Sequence, residues 1–350
     1  MMFGKIRYIC NMKNIPRIIV RIGMVLVLLG ALAGFMAWKY VNAEYRGEAA
    51  WLYIPAGASD TAVHDSLQSV LGKSIGGRVY TIWSHVSDNH ARAHGAYMIE
   101  TGSVAKDIAR RLVRGAQTPM SFTFNNMRTF GQLADRVGDK FEISASDFMH
   151  ACDSVLPAAG FKKQEYVAAF LPDTYEFYWT ASPEHIVERL LEYRNRFWTD
   201  ERRSRAASLG LSPVKVATLA SIVEEETNNG AERPIVARLY LNRLAKGMLL
   251  QADPTVKWAV GDFALRRITG KHLGIDSPYN TYKYKGLPPG PIRIPERATL
   301  ESVLDAPHHD YIYMCAKPDF SGTHNFAVDF AAHQRNAARY QAALNRRNIK

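Results

Sequence analysis

Residues 212–230 read SPVKVATLASIVEEETNNG, and the fold is best read outward from them. Ser212 is a good helix N-cap, and Pro213 suits the first helical position. Val216, Leu219, Ala220 and Val223 then recur at the spacing of an apolar helical stripe, and Gly230 ends the segment. Three glutamates, Glu224, Glu225 and Glu226, close the helix. Taken as an amphipathic helix, it turns Glu225 nearly opposite the stripe, so Glu225 is expected in solvent. Glu224 and Glu226 flank the stripe, each roughly 70–90° from its centre. Both lie at the negative end of the helix dipole, where a carboxylate is disfavoured. Partial burial and that dipole would each raise a carboxyl pKa, as a general acid requires. Spacing alone does not choose between the two.

A second helix is expected from near Glu232, with Pro234 early in it, to Gly247. Residues 276–295 hold seven prolines and glycines and read as a long shaped loop, of the kind that often carries function. Its Tyr279, Tyr282 and Tyr284 are candidates for stacking on sugar rings. The last helix is expected over 330–347. Upstream, residues 144–200 read as mostly helical. Three strand–turn–helix copies precede them: 51–54 with a helix through Leu71, 96–100 with 104–114, and 121–124 with 130–137. Units of that size predict a small α+β module.

The chain has 350 residues, 47% apolar and 22% charged, which excludes a largely disordered chain. Three cysteines form no disulfide framework, and no ligand cluster for a structural metal is visible. Cys152 and Cys315 are left either as a pair or as two free thiols. Lys and Arg outnumber Asp and Glu by 44 to 33, but Lys5, Arg7, Lys13, Arg17 and Arg21 supply five of those eleven surplus charges. Behind them Ile22 to Trp38 is an uncharged run of 17 residues, roughly 25 Å of helix, extendable past Lys39 to Val41. Val41-Asn42-Ala43 is a poor signal-peptidase site, so an uncleaved anchor over 22–41 is expected, with a basic cytoplasmic tail over 1–21. Residues from about 45 onward are then expected outside the cytoplasmic membrane, where nucleic acid is not an expected partner.

Leu219–Thr227 resembles the active-site helix of the MltG (YceG-like) endolytic murein transglycosylases. The likeness continues through Asn242-Arg243, Gly247-Met248, Gln251–Val256, Tyr279–Tyr282 and Gly286–Ile292. Leu171–Tyr175 and Thr323–Phe326 also match. Ala252 stands where Thr or Ser is common, and Gly261–Gly274 follows no family pattern. The resemblance implies an α+β chain: an anchor helix, a LysM-like module over 45–120, and a mixed α/β catalytic domain over 121–350 with a glycan groove. It implies Glu226, the glutamate before Thr227, as catalytic acid. Glu224, Gln251, Asp253, Thr255, Asn280, Thr281, Tyr282 and His324 are then the expected substrate-binding residues. The implied reaction cuts the MurNAc-β-1,4-GlcNAc bond within peptidoglycan strands and leaves 1,6-anhydro ends, with no metal or cofactor. Peptidoglycan synthases are the implied neighbours. A water-using muramidase, with Asp253 as second carboxylate, and a non-catalytic glycan-binding scaffold are the alternatives.

Overall fold

The computed structural model describes residues 15–265 and 268–347. Most of the tail expected over 1–21 therefore lies outside the described residues, as do Arg266 and Arg267. The chain divides into two compact units, Met1–Pro119 and Met120–Lys350.

The first unit opens with α1 (Ile15–Val41), of which Ile19–Val41 is long and apolar enough to cross a membrane. β1 (Ala50–Ile54) and β2 (Gly95–Ile99) pair antiparallel, with Leu52 opposite Tyr97. Between them runs α2 (Asp60–Val86), whose N-cap Ser59 accepts a hydrogen bond from the Ala62 N–H. The helix expected to stop at Leu71 does break there: Gly72 has φ 77°, and a second helical segment follows that the sequence reading did not anticipate. α3 (Ala105–Arg114) ends at Gly115, in the left-handed region with φ 63°. Leu52, Leu67, Val79, Trp83 and Tyr97 are fully buried in this unit's core. Arg78 of α2 donates to the carbonyls of Lys39 and Tyr40 and lies over the Tyr40 ring, which caps the end of α1.

The second unit begins with β3 (Met120–Phe124), α4 (Phe130–Gly138) and α5 (Ala145–Ala158). β4 (Asp173–Phe177) follows a short 3-10 turn, Lys163–Ala169, and interrupts the stretch expected to be mostly helical. Its inward Tyr175 and Phe177 alternate with outward residues, a period of two that five residues state only faintly. β3 pairs antiparallel with β4, Phe122 opposite Tyr175. The third strand–turn–helix copy is thus part of this unit and no extension of the small module. α6 (Pro183–Phe197), α7 (Asp200–Ser208), α8 (Pro213–Glu226) and α9 (Arg233–Ala245) come next. α10 (Asp253–Val260), α11 (Gly270–Leu273) and α12 (Arg297–Leu304) complete the helical body. β5 (Tyr313–Ala316) and β6 (His324–Ala327) form a hairpin on which α13 (Phe330–Arg346) packs. Cys152 on α5 and Cys315 on β5 are free thiols.

Candidate active site

α8 is the axis of the second unit. Ser212 caps it by accepting from the Lys215 N–H, as its sequence suggests. Burial does not follow one stripe, however: every residue from Val216 to Glu224 is buried. Ala217, Thr218, Ala220 and Ser221 are small enough for neighbouring elements to close on the other sides. A helix enclosed all round has no solvent face, so the stripe cannot sort the three glutamates. Ser221 Oγ accepts from the Ile292 N–H at 3.0 Å and ties down the long loop. Gly290 in that loop passes so close to the Gln164 carbonyl that a Cβ would overlap it.

Glu224 was expected to touch substrate, and the structure corrects this. Its carboxylate is 2% exposed and fully engaged. Oε1 accepts from Asn126 Nδ2 at 3.0 Å and pairs with Arg293 Nε at 3.2 Å. Oε2 accepts from the Glu296 N–H at 2.9 Å and the Thr299 hydroxyl at 2.7 Å. Buried and enclosed by these groups, the carboxylate is out of reach of a sugar, and Glu224 ties α8 to α12. Glu225 is not solvated either: its side chain is 16% exposed, Arg128 Nη2 donates to both its oxygens, and Arg293 Nη1 donates to Oε1 at 2.6 Å.

Glu226 faces differently, into a cavity of about 390 Å³. Tyr240 of α9 donates its hydroxyl to Glu226 Oε1 at 2.8 Å. Burial pushes the Glu226 carboxyl up to about 7, against the lowering effect of that hydrogen bond and with further help from the Asp253 charge. Burial and the Glu226 charge also raise the Tyr240 phenol, so it remains a donor. With Oε1 occupied, the acid proton belongs on Oε2. Asp253 in the first turn of α10 accepts the Tyr282 hydroxyl at 2.6 Å, and both line the same cavity. Gln251 also lines it and carries φ 54°, a left-handed conformation uncommon for a non-glycine residue and frequent at functional sites. Arg243 holds this corner by donating to the carbonyls of Leu250 and Ile312.

His324 closes another side. Its N–H donates to Glu232 Oε1 at 2.7 Å, and its ring Nδ1 lies 3.0 Å from Oε2. Thr227, which ends α8, donates to the same carboxylate at 3.2 Å. Burial works to raise the Glu232 carboxyl, but these bonds leave it below the usual range. A chain of contacts thus runs from the residue after Glu226, through Glu232, to His324.

Of the expected binding residues, Gln251, Asp253, Tyr282 and His324 meet Glu226 at one cavity. Thr255, Asn280 and Thr281 do not, being 0%, 0% and 1% exposed. Asn280 Nδ2 donates to the carbonyls of Leu273 and Ile275, and Oδ1 accepts the Tyr282 N–H, so it folds its own loop. The Thr255 and Thr281 hydroxyls share a 2.8 Å hydrogen bond, and Thr281 Oγ1 also accepts the Ala252 N–H. These residues position Tyr282 and Asp253 from behind. Tyr279 packs against Trp258, and Tyr284 donates to Asp276, so neither joins the cavity. The residues the sequence reading missed are Tyr240, Arg243, Glu232, Tyr313, Phe330 and His333. Only Arg243 and Tyr240 lay within or beside a family motif. Among the described residues no His, Cys, Asp or Glu cluster suits a metal. A larger cavity, about 830 Å³, opens at the start of α8 around Ser212, Lys215 and Pro288, but Glu226 is not part of it.

One carboxyl, held protonated to near neutral pH at an open cavity and hydrogen-bonded by a phenol, is the equipment of an acid–base enzyme. The particular kind is given by comparison: the chain belongs to the YceG-like family, whose pattern matches residues 52–339. It is 29% identical over 313 residues to the endolytic murein transglycosylase of Bacillus subtilis strain 168, covering 83% of this chain and 85% of that protein. The endolytic murein transglycosylase of Streptococcus pneumoniae serotype 2 strain D39 is 24% identical over 319 residues, and here the chain spans 57% of its relative. The crystal structure of a YceG-like protein from Listeria monocytogenes superposes with a TM-score of 0.56 at 26% identity, covering 82% of this chain and 98% of that one.

Proposed function

We propose that this chain is an endolytic peptidoglycan transglycosylase with Glu226 as its single acid–base group. The carrying observation is the Glu226 carboxyl, raised to about 7 at the cavity wall with one oxygen held by Tyr240. Protonated Oε2 donates to the glycosidic oxygen as the C1–O bond of the muramic residue breaks. The carboxylate left behind takes the proton of that residue's C6 hydroxyl, whose oxygen closes on C1. One bond is broken, one is formed, the proton returns to Glu226, and no water is consumed. A group that must give and then take a proton works best with a pKa near the working pH. Tyr282, Asp253, Gln251 and His324 supply donors and acceptors for the sugar's hydroxyl and amide groups.

Further parts of this reading rest on sequence. α1 is proposed as a single-pass anchor in the cytoplasmic membrane, N-terminus inside, because the cations precede it. Residues 45–120 are proposed as a LysM-like glycan module and 121–350 as the catalytic domain, working beside peptidoglycan synthases. Mass analysis of products tests the reaction. Anhydro ends, one water lighter than reducing ends, are expected from wild type and absent from E226Q. Reducing ends would mean the hydrolytic reading, which Asp253 in the same cavity favours as second choice. No products at all would leave a scaffold.

A further inference from the structure

Three rings line the Glu226 cavity and have no part in the acid–base steps. Tyr313 is the first residue of β5; Phe330 and His333 lie three apart at the start of α13, hence on one helical face. Tyr313 and His333 stack with centroids 5.1 Å apart and planes at 19°. Phe330 lies 5.9 Å from Tyr313 and 6.2 Å from His333. The Arg243 guanidinium stands over the Tyr313 ring at 5.5 Å. Burial, and then the nearby Arg243 charge, keep His333 below its ordinary pKa, so its ring is neutral at pH 7. Phe330 is nonetheless 56% exposed. A large apolar ring held at the edge of a cavity by two ring neighbours, yet facing water, is a preformed surface without its ligand.

The ligand can be read from its chemistry. In a β-1,4-linked N-acetylhexosamine the ring substituents are equatorial, which leaves a flat apolar face of axial C–H groups. Such a face needs a flat, uncharged, apolar platform with hydrogen-bonding groups around its rim. Arg243, Gln251, Asp253 and His324 provide that rim in the same cavity. We propose that Phe330, with His333 and Tyr313 behind it, is the platform on which one N-acetylhexosamine ring of the glycan stacks during cleavage. This assigns the stacking role to β5 and α13 and takes it from the tyrosines of 279–284. It rests on the functional reading above, which identifies the substrate class.

The test uses full-length protein in detergent micelles, in the E226Q background so that nothing is turned over. The probes are a peptide-free N-acetylglucosamine tetrasaccharide and a stem-peptide-bearing GlcNAc–MurNAc tetrasaccharide, titrated by calorimetry. F330A is expected to weaken both about tenfold, a typical magnitude for losing one good ring contact. F330W is expected to restore binding, and thermal stability to stay put because Phe330 is exposed. Y178A, which removes an exposed tyrosine outside the cavity, serves as control. If F330A changes neither affinity by more than twofold, the platform is refuted while the transglycosylase reading stands. If only the peptide-bearing probe weakens, the rings contact the stem peptide and the sugar assignment is refuted. If neither probe binds and wild type yields no anhydro ends, the functional reading itself fails and the platform falls with it.

Discussion

Replacing Glu226 with Gln should abolish cleavage, and it should stabilise the protein increasingly from about pH 4.5 and fully above 7. The carboxyl titrates at about 7 in the folded chain against an ordinary 4.5. The folded state therefore holds this proton more tightly than the unfolded state does. Relative to the unfolded chain, wild type bears no penalty below pH 4.5, loses stability as pH rises towards 7, and carries the full cost above it. A rise of that size is worth at most about 3.4 kcal/mol. Because the carboxyl faces an open cavity, solvent screening reduces this, and we take about 2 kcal/mol. Glutamine has the same shape, its carbonyl can still accept the Tyr240 hydroxyl, and it never ionises. For a unit of this size 2 kcal/mol corresponds to about 4–8 °C in Tm. Scanning calorimetry at pH 8 should show E226Q melting higher by that amount. At pH 4, where both side chains are neutral, the two should coincide within about 1 °C of each other. An equal gap at both pH values would mean the glutamine packs better for reasons unrelated to charge. No gap at pH 8 would mean Glu226 ionises as an ordinary carboxyl, and its selection as the acid would lose its physical basis.

Wild-type kcat/KM should fall tenfold per pH unit above about 7, as Glu226 loses its proton; in Y240F, which lacks the bond that lowers that pKa, the fall should begin at higher pH. E224A removes a buried partner of Arg293 and should cost about 3–5 kcal/mol in denaturant unfolding. E225Q weakens partly buried pairs to Arg128 and Arg293 and should cost about 1–2 kcal/mol, with cleavage retained in the folded fraction. N280A deletes three hydrogen bonds in a buried loop, so stability should fall by about 2–3 kcal/mol and activity should fall with it.

What was legible in the chain follows from how local each signal is. The cap at Ser212, the stop at Gly247 and the break after Leu71 are written in one or two residues, and the structure shows each in place. β4 was missed because five residues state a period of two weakly, and its partner β3 lies some fifty residues upstream. The long loop was rightly read as shaped, but polarity was mistaken for reach. Asn280 and Thr281 spend their groups on their own backbone and on Thr255, which spacing cannot reveal. The aromatic wall went unnoticed because Tyr313, Phe330 and His333 lie on either side of Thr323–Phe326 and in no motif, on two elements that meet only in the fold.

The deepest case is the run of three identical side chains at the end of α8. All three share one helix terminus and one dipole, so neither sequence nor dipole distinguishes them. Their neighbours do. Asn126, Thr299, Arg293 and the Glu296 N–H take Glu224; Arg128 and Arg293 take Glu225. Each of these carboxylates has an arginine within 3.2 Å. Glu226 receives one neutral hydroxyl; burial and the Asp253 charge raise its carboxyl, and the Tyr240 hydrogen bond and the Lys257 charge offset this only in part. Among the described residues, the proposed acid is thus distinguished from its two neighbours by having no arginine paired to its carboxyl. Arg293 contributes to this by being occupied twice, which keeps its charge on the far carboxylates. It follows that a cation introduced on the cavity side, for example by Y240K, should pull the Glu226 pKa down and weaken it as an acid even if the new amine sits within hydrogen-bond reach. Loss of the limb near pH 7 in that variant would support the argument; a limb left at 7 would show that burial alone sets the value and that the division of partners is incidental.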